Sequence, residues 1–586
     1  MADRIKFKDL SPAEKQNHRD RLRHSAAHVL AEAVTKLFPE AQLTIGPPIE
    51  DGFYYDFAVP EPFTPDDLKK IELEMRDLIR ANTEFVERET SRDEALELVK
   101  DNEYKVEILQ GIPAHERVTF CSHSDGAFED LCRGGHMDRT GDIKAYKLLS
   151  AAGAYWRGNE NNVMLQRIYG TAWESRDAQK DYLKRVDEAE KRDHRKLGRA
   201  LGLFFFDPIA PASPFFLPKG AQVMNSLIDY VKELYVKYGY QEVMTPQIFN
   251  TELWKRSGHL DAYSENMYFV DVDEREFGVK PMNCPAAAML YLADSHSYRE
   301  LPMRLADFGR LHRNERSGVT HGLTRVRSFV QDDAHIFCTL DQIGDEINSF
   351  LKMLSEAYDT LGFDSYRLEL SLRPEKRGGT DEMWDTAEKA LTELLDTSGV
   401  EYTSEAGEGA FYGPKIDIFV PDAIGRDWQL GTVQLDFSLP ERFDMEYAAE
   451  DGTRQRPVVV HRAMYGSLER FLGVLIEHLS GAFPLWMAPV QAVVVPIADR
   501  HIDFCNEVGV KLKAAGIRVS VDDSNDRMNS KIRQAQLQKV PYMLVAGDQE
   551  IEAGTVAVRT RTGENLDPMT VDEVVDKFLK QIEERS

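Results

Sequence analysis

Phe308-Gly309-Arg310-Leu311-His312-Arg313-Asn314-Glu315 is the stretch around which this sequence organises itself. Alone it is weak, because an arginine two places before a glutamate arises often by chance. Two further stretches strengthen it. Upstream, Gly239-Tyr240-Gln241-Glu242-Val243-Met244-Thr245-Pro246 reads as a strand entering a fixed proline. Downstream, Gly466-Ser467-Leu468-Glu469-Arg470 opens a long apolar helix over 467–478. All three lie in order inside one block, 201–488. There, strand-like runs at 415–420 and 433–437 alternate with helices such as 220–238 in a mixed antiparallel pattern, not a regular βαβ series. Arg313 and Arg470 suit phosphate, because a guanidinium keeps its charge and grips oxygens in a planar fork.

The same block holds Cys284 in Lys-Pro-Met-Asn-Cys-Pro, His335 in Gln-Asp-Asp-Ala-His and His461 in Val-His-Arg-Ala-Met-Tyr-Gly. One soft sulfur and two imidazoles are ligand types that Zn²⁺ prefers. Three protein ligands leave a fourth position open for chemistry. Their spacing is too wide to reveal a site; the residues around each carry the argument.

Bulk properties bound the rest. A chain of 586 residues implies about three or four domains. With 42% hydrophobic and 29% charged residues it has the composition of a soluble globular protein. No apolar run is long enough to span a bilayer, and the N-terminus lacks the apolar core of a signal peptide. Five cysteines (121, 132, 284, 338, 505) form no disulfide framework and fit a reducing, cytoplasmic setting. The net charge of −27 argues against indiscriminate nucleic-acid binding but leaves room for local basic contacts to one RNA.

Outside the central block, residues 1–171 mix helix and strand. A helix is expected over 22–38, turns at 46–48 and 51–52, and a strand over 53–57. Two histidines, His24 and His28, share one face of that helix at i and i+4. Cys132-Arg-Gly-Gly-His136 adds a thiol and a third imidazole beside glycines that allow close backbone approach. By ligand chemistry this Cys/His cluster reads as a zinc site. Residues 172–200 carry close-spaced charges of both signs and read as one exposed connecting helix. Residues 489–586 show βαβ rhythm, with strands at 490–496, 517–521 and 542–545 and a helix at 531–538, as in a small doubly wound domain. The stretch 483–489 is the expected hinge before it.

The three central stretches resemble motifs 1, 2 and 3 of class II aminoacyl-tRNA synthetases. The contexts of Cys284, His335 and His461 resemble those of threonyl-tRNA synthetases in particular, and the likeness spans nearly the whole chain. It implies an α+β and α/β multidomain fold: an antiparallel class II sheet flanked by helices (201–488), an editing domain (1–171), a linker helix (172–200) and an anticodon-binding domain (489–586). Many bacterial members begin with a small ubiquitin-like domain, which the residues before His24 are too few to form.

The resemblance also implies roles. Arg313 would hold the α-phosphate of ATP and the amino-acid carboxylate, and Arg470 the γ-phosphate. Glu315, Arg325, Phe329, Gln429, Thr432 and Ser467 would complete the ATP site, with Mg²⁺ on the nucleotide. Cys284, His335 and His461 would hold one Zn²⁺ per subunit, open to the amino and hydroxyl groups of threonine. Met282, Gln331, Asp333, Tyr412, Lys415 and Gln429 would line that pocket, and His259 would serve as base for transfer to the tRNA ribose. An apolar pocket separates valine from threonine only about 100-fold, so a ligand demanding oxygen makes chemical sense. Serine keeps the hydroxyl, and a missing methyl is worth only about 10- to 200-fold, so hydrolytic editing is expected. For that editing the resemblance implies His24, His28, Lys105, Asp130, Cys132 and His136 working with water and without metal. Glu550 and Arg559 would read anticodon bases, which are open along their Watson–Crick edges. The implied partners are threonine tRNA, threonine, ATP and a second copy in a homodimer. Two rival readings are a free-standing hydrolase of mischarged tRNA and a non-enzymatic RNA-binding paralogue. The retained arginines and metal ligands argue against both.

Overall fold

The computed structural model describes residues 7–159, 162–398 and 400–585. They form two compact units, Met1–Asp187 and Glu188–Ser586.

In the first unit the helix runs Pro12–Leu37, ten residues longer at its start than expected. Ser11 and Glu14 form a capping box and Pro12 occupies the first turn, which satisfies amide groups that would otherwise lack partners. Its small residues Ala26, Ala27, Ala31 and Ala33 pack with Phe53, Tyr55 and Phe57. The sheet beneath is antiparallel, in the order Gln42–Leu43, Gly52–Ala58, Met164–Trp173, Ala145–Tyr155. A second antiparallel sheet joins Val86–Thr90, Val118–His123 and Phe128–Leu131.

The expected single helix over 172–200 is instead the end of strand Met164–Trp173 and two helices, Arg176–Arg192 and His194–Leu201. Asp193 causes the break. Its backbone leaves the helical region, and its carboxylate accepts the Arg195 amide as an N-cap, which aspartate does better than it continues a helix. The first helix buries none of its residues; the second buries His194, Gly198 and Leu201.

The large sheet of the second unit is mixed and mainly antiparallel. Its order is Gln241–Glu242, Met303–Asp307, Ser328–Cys338, Val458–Ser467, Asp427–Asp436, Lys415–Pro421, Arg367–Ser371, Tyr402–Glu405. Helices Pro218–Tyr238, Ile343–Thr360 and Leu468–His478 bury Leu227, Leu234, Phe350, Leu354, Phe471 and Leu475 in one core with the strand residues Ala334, Ile336, Val433, Leu435 and Val460. Side chains alternate along a strand, so Phe329, Gln331, Asp333 and His335 project from the other face.

The C-terminal sheet has parallel strands Ala492–Pro496, Val519–Val521 and Tyr542–Ala546, extended antiparallel by Thr555–Thr560 and Met569–Thr570. The expected hinge at 483–489 is packed instead. Phe483, Leu485, Trp486 and Met487 are buried, Arg518 donates to the Trp486 and Ala488 carbonyls, and Arg561 donates to that of Phe483. Residues this apolar gain more from burial than a free linker would allow. No helix among the described residues is long and apolar enough to cross a membrane.

Candidate active sites

Strand pairing builds the central site. His335 lies opposite His461, and His461 opposite Gln434; one step along, Asp333, Ala463 and Thr432 align in the same way. These residues project from the face that the helices leave open. Cys284 comes from a different element, the first residue of helix Cys284–Tyr291. The Cys284, His335 and His461 ligand atoms nevertheless lie within 4.8 Å of one another, all three residues buried. The His335 Nε2 has no hydrogen-bond partner among the described residues. Burial and the neighbouring His461 hold the His335 imidazole well below its usual range, in the neutral form that binds metal. Burial would also lower His461, but the Cys284 sulfur and the Asp436 carboxylate outweigh it and push it up to about 10. Asp436 Oδ2 lies 3.0 Å from His461 Nε2. A carboxylate on the outer nitrogen of a ligand histidine fixes ring and tautomer.

Around the triad, Asp333 accepts from Asn283 Nδ2 at 3.1 Å, and burial raises its carboxyl above the ordinary range. Tyr412 stacks on His461 with ring centroids 5.2 Å apart and donates to Gln434. Lys415 donates to Asp417 at 2.5 Å. Met282 sits half-buried two residues before Cys284, at the edge of the same apolar cluster. His259, with Cys284, Tyr412, Asp436 and His461, borders one small void. Its Nδ1 lies 2.9 Å from Ser257 Oγ, its Nε2 has no partner among the described residues, and burial lowers the imidazole to about 4.

Next along the sheet is a cavity of about 340 Å³ lined by Arg313, Glu315, Arg325, Phe329, Gln331, Gln429, Thr432, Ser467 and Arg470. The Arg313 guanidinium sits 5.0 Å from the Phe329 ring centre, and Arg325 donates to Glu315 at 3.0 Å. Ser467 caps helix Leu468–His478 by accepting the Arg470 amide. Arg470 Nε is buried with no partner among the described residues. Glu469 points the other way and accepts the Val330 amide at 2.9 Å, which ties the helix to strand Ser328–Cys338. The structure thus brings all of these residues to one sheet face.

In the first unit a cleft of about 950 Å³ is lined by His24, His28, Tyr55, Lys105, Asp130 and Cys132. Cys132 Sγ lies 3.1 Å from His136 Nε2 and 3.5 Å from His24 Nε2, and the His24 and His136 rings stack at 4.2 Å. Burial pushes Cys132 up to about 12 and His136 down to about 2, and lowers His24 and His28 as well. At neutral pH the cluster is one thiol and three uncharged imidazoles. Beside it Lys105 Nζ pairs with Asp130 Oδ1 at 2.6 Å.

Four residues here lie outside the sequence-based expectations. Tyr55 donates to Asp130 at 2.5 Å; it alternates with Phe53 and Phe57 as a core residue does, so the strand pattern carries no sign of that bond. Asp436 and Gln434 share a strand face with Thr432, a period-2 signal that was available. Ser257, which orients His259, left no signal.

The C-terminal pair is not brought together by any contact. Glu550, in helix Asp548–Ala553, caps its own helix by accepting the Gly547 amide at 2.9 Å. Arg559 stands on strand Thr555–Thr560 with a buried Nε that has no partner among the described residues.

Known proteins match in the same places. Residues 268–479 match the tRNA synthetase class II core domain (G, H, P, S and T), 491–581 the anticodon binding domain, and 118–169 the threonyl and alanyl tRNA synthetase second additional domain. A threonine–tRNA ligase of Alkalilimnicola ehrlichii is 51% identical over 565 residues, 96% of this chain and 88% of its own length. One of Clostridium tetani is 51% identical over 569 residues, 97% and 89%. A crystal structure described as the RNA binding domain of threonyl-tRNA synthetase from Cryptosporidium parvum has a TM-score of 0.65 at 46% identity, covering 66% of this chain and 98% of its own. Identity of half over nearly the full length, with the class II core, the anticodon module and the additional domain each in place, makes the chain a member of the threonine–tRNA ligase family of class II aminoacyl-tRNA synthetases.

Proposed function

We propose that this chain activates threonine with Mg²⁺-ATP, transfers it to the terminal ribose of threonine tRNA, and hydrolyses tRNA mischarged with serine. The observation that carries the reading is one strand. Ser328–Cys338 lends Phe329 and Gln331 to the arginine-lined cavity, His335 to the Cys/His triad and Asp333, bonded by Asn283, to the same face. Nucleotide and amino acid therefore meet on one face.

Attack of the threonine carboxylate on the α-phosphate adds negative charge at phosphorus. Arg313 meets that charge with its fork, while Arg470, its Nε free, takes the far phosphate. Glu315 and Arg325 help to place adenine and triphosphate, Phe329 stacks on the base, and Gln429, Thr432 and Ser467 complete the ATP site. The triad fits zinc: a soft sulfur, an unpartnered buried Nε2 on His335, and Asp436 on the outer nitrogen of His461. Zn²⁺ held there supplies an open position that favours an oxygen-bearing side chain over valine. Asp333, oriented by Asn283, receives the polar end of the substrate; Met282, Gln331, Tyr412 and Lys415 close the pocket. His259 is neutral, so it can accept the ribose proton during transfer.

In the first unit, the uncharged imidazoles of His24, His28 and His136 and the Lys105–Asp130–Tyr55 group supply the hydrogen bonds that position water for hydrolysis. We assign 1–171 to editing, 172–200 to the connection, 201–488 to activation and 489–586 to the anticodon, with Glu550 and Arg559 as base-reading candidates. Exposed Val236, Met244 and Ile248 around the first motif support a homodimer packed there. Five free thiols suit the cytoplasm.

The deciding experiment is pyrophosphate–ATP exchange across a panel of amino acids, paired with metal analysis. Exchange should depend on threonine, persist weakly with serine and vanish with valine. Absence of threonine-dependent exchange refutes the reading.

A further inference from the structure

His194, at the start of helix His194–Leu201, is buried and makes a set of bonds that the proposed chemistry does not use. Its Nδ1 lies 2.6 Å from Glu477 Oε1, and its backbone amide donates to the same oxygen at 3.1 Å. Its Nε2 accepts the backbone amide of Leu323 at 2.9 Å. An acceptor nitrogen carries no hydrogen, so the ring hydrogen sits on Nδ1 and is donated to Glu477. The other oxygen of Glu477 takes Arg426, which also pairs with Asp422. Asp193, His194 and Glu477 lie close enough to resemble an ion site. Both ring nitrogens are already engaged, however, and Asp193 caps its own helix, so the trio is a clamp.

What the clamp holds is the loop that reaches the arginine-lined cavity. Glu477 belongs to helix Leu468–His478, whose start bears Arg470. Leu323 is fully buried against Gly473 of that helix, where an added Cβ would meet the Leu323 Cβ at 3.2 Å. The neighbouring Gly322 has φ +47°, and a Cβ there would come 2.2 Å from His194 Nε2. The loop can therefore close on the ring only with glycine at this place. The two residues that follow Leu323, Thr324 and Arg325, line the cavity, and the Thr324 carbonyl accepts from Arg470 at 3.5 Å. One imidazole thus fixes the spacing between the Arg325 loop and the Arg470 helix.

We propose that His194 is a positioning residue for the triphosphate of ATP: it holds the 321–325 loop and the 468–478 helix at the separation the nucleotide requires. This rests on the reading of the cavity as the ATP site. The test is threonine-dependent pyrophosphate–ATP exchange on the full chain, with KM for ATP and for threonine measured separately and the melting temperature followed. His194→Gln keeps an acceptor near the Nε2 position. His194→Asn keeps a donor near Nδ1 but does not reach Leu323. His194→Phe keeps the ring's shape and neither bond. Losing one buried hydrogen bond is worth about tenfold, so the Asn and Phe variants should raise KM for ATP about tenfold and KM for threonine less than about twofold. The Gln variant keeps the Leu323 bond and, through its backbone amide, a bond to Glu477, so loop and helix stay joined and it should stay within about threefold of wild type. An unchanged KM for ATP in Asn and Phe overturns the proposal. So does a parallel rise in both KM values with a fall in melting temperature, or a Gln variant no better than Phe. Should Phe fail to fold, the Asn-to-Gln ratio decides. Wild-type protein without exchange removes the ATP reading itself, a failure distinct from active wild type with indifferent variants.

Discussion

Arg313 and Cys284 show how much one side chain can decide. Lysine at 313 would keep the charge but lose the fork that binds two oxygens at once. Arg313→Lys should therefore lose on the order of 10²–10³ in the rate of threonine-dependent exchange, because the contact is strongest where charge develops. Activity within about threefold of wild type would contradict the role. Cys284 starts its helix and faces two histidines already held by strand pairing. Cys284→Ser should strip the soft ligand, abolish bound zinc and threonine activation, and leave the fold largely intact. A full complement of zinc in that variant would place the metal elsewhere.

A helix face, not a single group, organises the first unit. His24, His28 and Glu32 recur every four residues on Pro12–Leu37, so all three look toward the same side. Replacing His24 and His28 together with Ala should sharply reduce release of serine from pre-charged tRNA. Threonine activation should stay nearly constant, because those residues belong to the other compact unit from Arg313. Unchanged serine release would sink the editing assignment. Glu32 has a different task. Burial would raise its carboxyl, but hydrogen bonds from His123, Ser124 and Lys36 prevail and hold it at about 2, against 4.5 when unfolded. A depressed folded pKa gives stability that is present above pH 4.5 and is lost as the pH falls toward 2. Glu32→Gln should cost up to about 3 kcal/mol at pH 7 in urea unfolding, with the gap from wild type closing in that acid window. A gap independent of pH would assign the loss to packing instead.

At the scale of the whole molecule, apolar exposure around the first motif is the feature that asks for a partner. Met244 is 85% exposed and Val236 83%. Sedimentation should return twice the 66.7 kDa chain mass, and Met244→Asp should shift the population toward single chains and depress charging. A monomeric wild type with full activity would refute the homodimer. The net charge of −27 makes binding of threonine tRNA a matter of local geometry rather than of the overall field.

What the sequence determined by itself was whatever is written locally. Periodicity placed the helix that carries His24 and His28 and the parallel strands of the C-terminal sheet, and the residues around Arg313, Arg470, Cys284, His335 and His461 pointed to the family. Local signals failed where a residue has two uses. Asp193 reads as one more charge in a helix, yet it ends that helix. The 483–489 stretch reads as a linker, yet its apolar side chains are buried. Only tertiary structure set Cys284 beside two histidines far along the chain, put Asp436 behind His461, joined Tyr55 to Lys105 and Asp130, and closed His194 over Leu323. The reason is physical. Helix and strand preferences act over a few residues, while the distance between two side chains from separate strands is set by sheet register and core packing, which no short stretch of sequence contains.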